Sequence, residues 1–128
     1  EYKFSEINNT DEAIAISSMS IARNMEIKAI VALTESGSTA LMLSRYRTNI
    51  PIYAFTRNED TLRRVSLFRG VISYQYKFMV DNMTDVIEDV KKELVESSIL
   101  KTGDLIVITS GSPLRVSGGT NSLRLIHL

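Results

Sequence analysis

Cysteine is absent from the 128 residues and histidine occurs once. Without cysteine there is no disulfide framework, no thiolate zinc site and no thiol nucleophile. A lone His127, next to the last residue, excludes multi-histidine metal sites, HExxH motifs and histidine-triad hydrolases. Charge of one sign is also lacking: fifteen Lys+Arg balance fifteen Asp+Glu. The basic excess of a nucleic-acid binder is therefore missing. No apolar run approaches the roughly 20 residues of a membrane-spanning helix, and no basic-then-apolar segment opens the sequence. These features predict a soluble, cytoplasmic protein with neither nucleic acid nor membrane as partner. The start at Glu1-Tyr2-Lys3, without Met, predicts a piece of something longer. The length fits one domain, large enough to bury about two-thirds of its unfolded surface. Hydrophobic residues at 44% and charged ones at 23% are ordinary for a globular domain.

Apolar segments alternate between two periods. Asn9-Thr10-Asp11-Glu12 reads as a helix start, because a polar cap followed by acids suits the positive helix end. That helix runs to about Met25, with Ile14, Ile21 and Met25 on one face. Ala29–Leu33 is an uninterrupted apolar run, the pattern of a strand buried on both faces. A hydroxyl-rich turn, Thr34–Thr39, leads into helical residues 40–46. Pro51–Phe55 is a second strand, and Asn58 caps a helix to about Phe68, stopped by Gly70. Val71–Tyr76 is rich in β-formers. Residues 81–100 form an amphipathic helix with Val86, Ile87, Val90, Leu94 and Val95 inward. Leu105–Ile108 is a fourth strand, Ser110–Asn121 a long polar loop, and Leu123–Leu128 a fifth strand. Helices between apolar strands imply right-handed crossovers and a mostly parallel sheet. The predicted fold is a three-layer, doubly wound α/β domain with helices on both faces. Its five strands are ordered 3-2-1-4-5, with the fifth antiparallel.

Ligands of such folds bind beyond the carboxyl ends of the strands, where the strand order reverses. Two segments leave the sheet there. Thr34, Ser36, Gly37, Ser38 and Thr39 combine hydroxyls, a glycine and a helix start, a set that suits an anion. The turn lacks a P-loop lysine and is not GxGxxG, which argues against a nucleoside triphosphate or dinucleotide. A capped strand-to-helix turn with no ligand explains the same residues. The Ser110–Asn121 stretch is too long for a bare hairpin; it reads as a working loop with Arg115 within reach of an anion, or as a plain connection. Arg45 and Arg47 read as helix-end cations, and Arg63 and Arg64 as a solvated face. Asp81, Asp85 and Asp89 read as an exposed stripe, the methionines as core filler, and His127 as structural or interfacial. No nucleophile–base pair or carboxylate dyad appears. The residues alone read as a binding module.

Ala29-Ile-Val-Ala-Leu-Thr-Glu-Ser-Gly-Ser-Thr-Ala40 resembles the segment of pyruvate kinases that opens the ligand loop of their carboxy-terminal, allosteric α/β domain. Ser44-Arg45-Tyr46-Arg47, Pro51-Ile52, Thr56, Thr61 and Phe68-Arg69-Gly70-Val71 continue the pattern in order. Gly103-Asp104 and Gly118-Gly119-Thr120-Asn121 close it. The resemblance covers about Thr10–Leu128; Thr-Glu-Ser-Gly is most similar to bacterial isoforms activated by AMP or sugar monophosphates. Residues 1–9 resemble the end of a connector from a catalytic barrel, and 10–128 the effector-binding domain.

The resemblance implies a regulatory and oligomerisation role. The parent enzyme would transfer phosphate from phosphoenolpyruvate to ADP in glycolysis. It implies no catalytic residue, no cofactor and no metal in this domain, with magnesium and potassium held by the parent's barrel. It assigns the effector phosphate to Thr34, Ser36, Gly37, Ser38 and Thr39. The closing loop would contribute Arg115, Ser117, Gly118, Gly119 and Thr120. Leu123, Leu125 and His127 would form a subunit interface of a homotetramer, since an edge strand invites another chain. The implied partners are a phosphorylated small molecule, the barrel domain and further copies. Forms activated by fructose 1,6-bisphosphate usually carry an Arg or Lys for the second phosphate. This chain has no Arg between Arg69 and Arg115, and Glu35 stands where many of them have Lys. Both features argue against bisphosphate selectivity. The alternatives are a stand-alone phosphate-ligand module or small phosphotransfer enzyme, and a purely structural oligomerisation domain.

Overall fold

Alternate residues of one central strand face two separate apolar cores, and this divides the molecule into three layers. The computed structural model describes residues 9–46, 48–76, 82–111 and 120–128. In chain order the elements are α1 (Thr10–Asn24), β1 (Ala29–Leu33), α2 (Ser38–Ser44), β2 (Ile52–Thr56), α3 (Glu59–Val65), β3 (Val71–Gln75), α4 (Met83–Glu96), β4 (Leu105–Gly111) and β5 (Thr120–His127). The sheet runs β3-β2-β1-β4-β5. The β1–β2, β1–β4 and β2–β3 pairs are parallel and β4–β5 is antiparallel. This is the doubly wound order expected from the sequence.

Ile30 and Ala32 of β1 join Ala15, Met19, Ala40, Leu43 and Val65 in the first core. Ala29, Val31 and Leu33 join Val86, Val90 and Leu94 in the second. So α1, α2 and α3 cover one face and α4 the other. Connection handedness explains the split. The chain steps outward from β1 to β3 and then returns to β4 on the far side of β1. A right-handed crossover in the reverse direction puts its helix on the opposite face. Full burial of each large apolar side chain stabilises the fold by about 1.5–3 kcal/mol.

Asparagine caps set the helix starts. Asn9 accepts the Glu12 N–H at 2.8 Å, Asn58 the Thr61 N–H at 3.0 Å and Asn82 the Thr84 N–H at 2.8 Å. Each cap satisfies one of the orphan donors of a first helical turn.

Three sequence expectations change. The buried face of α1 is Ala15, Ile16, Ser18 and Met19, while Met25 is exposed. Ala15 and Ser18 let the helix lie close to the sheet beside the larger Ile16 and Met19, and the expected Ile21 packs partly buried against the same core. β5 begins at Thr120 and β4 extends to Gly111, so the polar stretch contributes two strand ends. Hydroxyl residues pair there through ladder bonds and through Ser110 Oγ–Ser122 Oγ at 2.8 Å. The last helix is shorter than expected at both ends.

Candidate functional site

The order reverses between β1 and β4, and the carboxyl ends of these two strands open onto one corner. β1 leaves the sheet at Leu33, and Thr34–Gly37 turn into α2. Gly37 sits at the helix N-cap with φ 86°, the left-handed region. It donates its N–H to Thr34 Oγ1 at 2.7 Å. A Cβ at Gly37 would stand 2.8 Å from Val65 Cγ1 and 3.4 Å from Thr61 Cγ2. Backbone conformation and α3 packing thus both demand glycine.

The hydroxyls divide into two groups. Thr34 is buried and its oxygen is used by the turn itself. Thr39 is fully buried, and its hydroxyl meets that of Thr120 at 2.6 Å. Ser36 and Ser38 are half-buried; their hydroxyls lie 3.2 Å apart, and Ser36 Oγ accepts the Ser38 N–H at 3.3 Å. Ser36 and Ser38 are therefore the partly exposed hydroxyls of the turn, bonded to each other, and Thr34 and Thr39 hold the turn in shape.

The Thr39–Thr120 bond brings the two expected ligand segments together at Thr120, where β5 begins. Arg115, Ser117, Gly118 and Gly119 lie outside the described residues, as do Arg47 and Asp81. Asp11, in the first turn of α1, accepts a backbone bond from Thr120. Burial pushes the Asp11 carboxyl up, and the Thr120 N–H partly opposes this. Nearby, the Thr109 hydroxyl of β4 is the only buried side-chain polar atom without a partner among the described residues.

α3 supplies a support that the sequence did not disclose. Thr61 Oγ1 donates to the Glu35 carbonyl at 2.6 Å, and Arg64 donates to the Ser36 carbonyl at 2.7 Å. Arg64 is thus more than the solvated cation expected; its guanidinium stands beside the turn. Arg63 does behave as a surface residue, paired with Asp60. Glu35 turns toward β2, with its carboxylate 3.6 Å from the Arg57 guanidinium. Arg57 in turn lies 5.8 Å from the Tyr76 ring centroid. The carboxylate in the turn is therefore matched by a cation. Chain periodicity has no signal for Arg57, Thr61 or Arg64, because β2 and α3 reach the turn only through parallel pairing.

Among the residues expected at an interface, Leu123 packs against the first core and is partly buried. Leu125 is 44% exposed. His127 is exposed, with Nδ1 3.3 Å from the Gly103 carbonyl. No group of three His, Cys, Asp or Glu among the described residues is placed to hold a metal ion. None of the described helices is long and apolar enough to cross a membrane.

A five-stranded, mostly parallel sheet with helices on both faces, and a glycine-and-hydroxyl turn at its reversal point, defines a doubly wound α/β domain. Comparison with known proteins narrows this class. The family described as pyruvate kinase, alpha/beta domain, matches residues 12–126. Pyruvate kinase II of Salmonella typhimurium is 37% identical over 122 residues, covering 94% of this chain and 25% of that protein. The pyruvate kinase of Clostridium perfringens is 40% identical over 115 residues, covering 89% and 24%. A solved pyruvate kinase from Cryptosporidium parvum superimposes with a TM-score of 0.82 at 26% identity, covering 95% of this chain and 23% of that one. The chain belongs to the pyruvate kinase alpha/beta domain family, as the sequence resemblance implied. It spans about a quarter of the length of these relatives.

Proposed function

We propose that this chain is the regulatory domain of a pyruvate kinase, binding a phosphorylated effector at the turn Thr34–Thr39. The parent enzyme, in this reading, transfers phosphate from phosphoenolpyruvate to ADP. Its catalytic groups, magnesium and potassium lie in a barrel that residues 1–9 connect to this domain, residues 10–128. The domain itself contributes no catalysis, and subunit contacts run through β5.

The observation that carries the effector reading is the 2.6 Å Thr39–Thr120 hydroxyl pair. It ties the turn to the start of β5, where the sequence 112–119 carries Arg115 and two glycines. A phosphate at Ser36 and Ser38 gains hydroxyl and backbone N–H bonds, and charge-assisted bonds are the strong ones. The unpartnered Thr109 hydroxyl supports a polar occupant at this corner. The Glu35–Arg57 pair supports an anion here as well, since it offsets a carboxylate that would otherwise repel it. The lysine-free turn supports a monophosphate, from a sugar or AMP, over a bisphosphate.

Calorimetric titration with a panel of sugar monophosphates and AMP tests the reading. Ser36→Asp places a carboxylate at the anion position and is expected to weaken the best ligand at least tenfold, the scale of one lost charge-assisted bond. Unchanged affinity in that variant rejects the site. A parallel coupled assay with phosphoenolpyruvate, ADP, magnesium and potassium is expected to show no turnover by this chain. Protein-dependent pyruvate formation that survives repurification would favour a stand-alone enzyme.

A further inference from the structure

A second anion site, remote from the effector turn, follows from where two unpaired arginines meet. At the amino-terminal end of the sheet an open cleft of about 680 Å³ lies between the end of α2 and the lead-ins to β2 and β3. That volume is within the roughly 300–1,000 Å³ range of small-molecule sites. Arg45, Arg69, Ser44, Thr48, Asn49 and Gly70 give it its polar character. None of its described lining residues is acidic.

Parallel pairing builds this cleft. Ile52 of β2 stands opposite Val71 of β3, and the Ile52 N–H donates to the Gly70 carbonyl at 3.2 Å. That bond clamps the turn carrying Arg69 beside the segment carrying Thr48 and Asn49. Gly70 adopts φ 74°, and a Cβ there would meet no atom within 4 Å. The backbone at Gly70 is thus open to a close approach.

The other arginines among the described residues are engaged. Arg57 pairs with Glu35, Arg63 with Asp60, Arg64 with the Ser36 carbonyl, and Arg124 with the Ser110 and Ser122 hydroxyls. Arg23 also has a partner. Arg45 and Arg69 are exposed, and no described carboxylate pairs with either guanidinium. Each follows the carboxyl end of a helix, α2 or α3, where a cation is favoured. That accounts for either one singly and weakens its pull on an anion, but it does not account for both lining one acid-free cleft. Glu12 lines a separate pocket of about 220 Å³ together with Met42, Arg45 and Tyr46.

We propose that Arg45 and Arg69 form a phosphate-binding site in this cleft, independent of the Thr34–Thr39 turn. Guanidinium groups bind tetrahedral oxyanions through paired N–H donors, and Asn49, Thr48 and Ser44 supply neutral donors around them. The ligand is a phosphate group, either free inorganic phosphate or the phosphoryl end of a metabolite. Thr34 lies four residues along the sheet from the Ile30–Ile52 pair, about 13 Å at strand rise, so one small anion does not serve both places. This site goes beyond the effector reading and stands or falls separately from it.

The test is an amide NMR titration of the 15N-labelled chain with inorganic phosphate and, in parallel, glucose 6-phosphate. Saturable shifts are expected at Thr48, Asn49 and Gly70. Arg69→Gln and Arg45→Gln each weaken the titration at these amides about tenfold, the scale of one charge-assisted interaction, and Arg69→Lys falls between. Both arginines are exposed, and a dispersed spectrum shows that each variant is folded. Ser36→Asp leaves the cleft titration unchanged, which separates this site from the turn at Gly37–Thr39. Tighter saturation by glucose 6-phosphate assigns the site to a metabolite; equal saturation assigns it to phosphate itself. Absence of saturable shifts at Thr48, Asn49 and Gly70, or an unaltered titration in Arg69→Gln, overturns the proposal.

Discussion

The hydroxyls of Thr39 and Thr120 meet at 2.6 Å inside the protein, 81 positions apart in the chain. One belongs to the first turn of α2 and the other opens β5. Their bond links the Thr34–Thr39 turn and its helix to the strand that opens at Thr120. Removing one partner strands a buried hydroxyl, at a cost of about 1–3 kcal/mol. Thr39→Val and Thr120→Val are each expected to lower stability by that amount. The double variant should lose less than the sum, because neither hydroxyl is then left alone. Urea unfolding of the four proteins measures the coupling. Strictly additive losses would show that the two threonines act independently.

Gly37 makes the Thr34–Thr39 turn possible, so its replacement tests the turn without removing a hydroxyl. Gly37→Ala combines a positive φ with a Cβ 2.8 Å from Val65 Cγ1. The two penalties together should cost about 2–4 kcal/mol. Gly37→Asn tolerates the left-handed conformation but keeps the contact with Val65. Its loss relative to alanine therefore separates strain from overpacking. A drop of less than about 0.5 kcal/mol for alanine, the range of a neutral surface change, contradicts this account of the turn.

Stability should fall at alkaline pH through Tyr53. Burial raises its phenol above the ordinary value, and the neighbouring Tyr74 raises it further. In the unfolded chain Tyr53 ionises at its ordinary value of about 10. Between that pH and the higher folded value the unfolded state binds fewer protons, so stability falls as pH rises. Below pH 10 the contribution is fully present. Tyr53→Phe removes the effect, and its denaturant midpoint should decline less than that of the parent between pH 9 and 11. Parallel declines in the two proteins would assign the alkaline loss to other groups.

Leu125 offers a direct test of assembly through the sheet edge. β5 is the terminal strand of the sheet, and Leu125 is its exposed apolar residue. Edge strands with little charge pair with other chains, and a lysine deters them. Sedimentation is expected to show self-association of this chain that Leu125→Lys reduces or abolishes. Leu123→Lys is not a substitute, since Leu123 packs on its own core. A monomeric parent chain at all accessible concentrations defeats the edge-pairing model.

The sequence by itself determined the elements, their order and the turn that lies where the strand order reverses. Runs such as Ala29–Leu33 are too apolar for any position but a doubly covered strand, and Asn9 and Asn58 announce helix starts. Those local signals, with the fixed hand of crossovers, leave few topologies open. They also locate Thr34–Thr39 at the reversal point, and the resemblance in that turn named the family. Tertiary structure alone decided what each polar residue does. Thr34 and Thr39 are supports and not exposed donors, Arg64 holds the Ser36 carbonyl, and Arg57 neutralises Glu35. Apart from the local Thr34–Gly37 bond, each of these pairings joins residues that are distant in sequence. Hydrogen bonds and ion pairs act over about 3–4 Å, and spacing along a chain does not reveal which distant atoms come that close. Parallel pairing of β1, β2 and β3 brings them there, as it brings Arg45 and Arg69 to one cleft at the other end of the sheet.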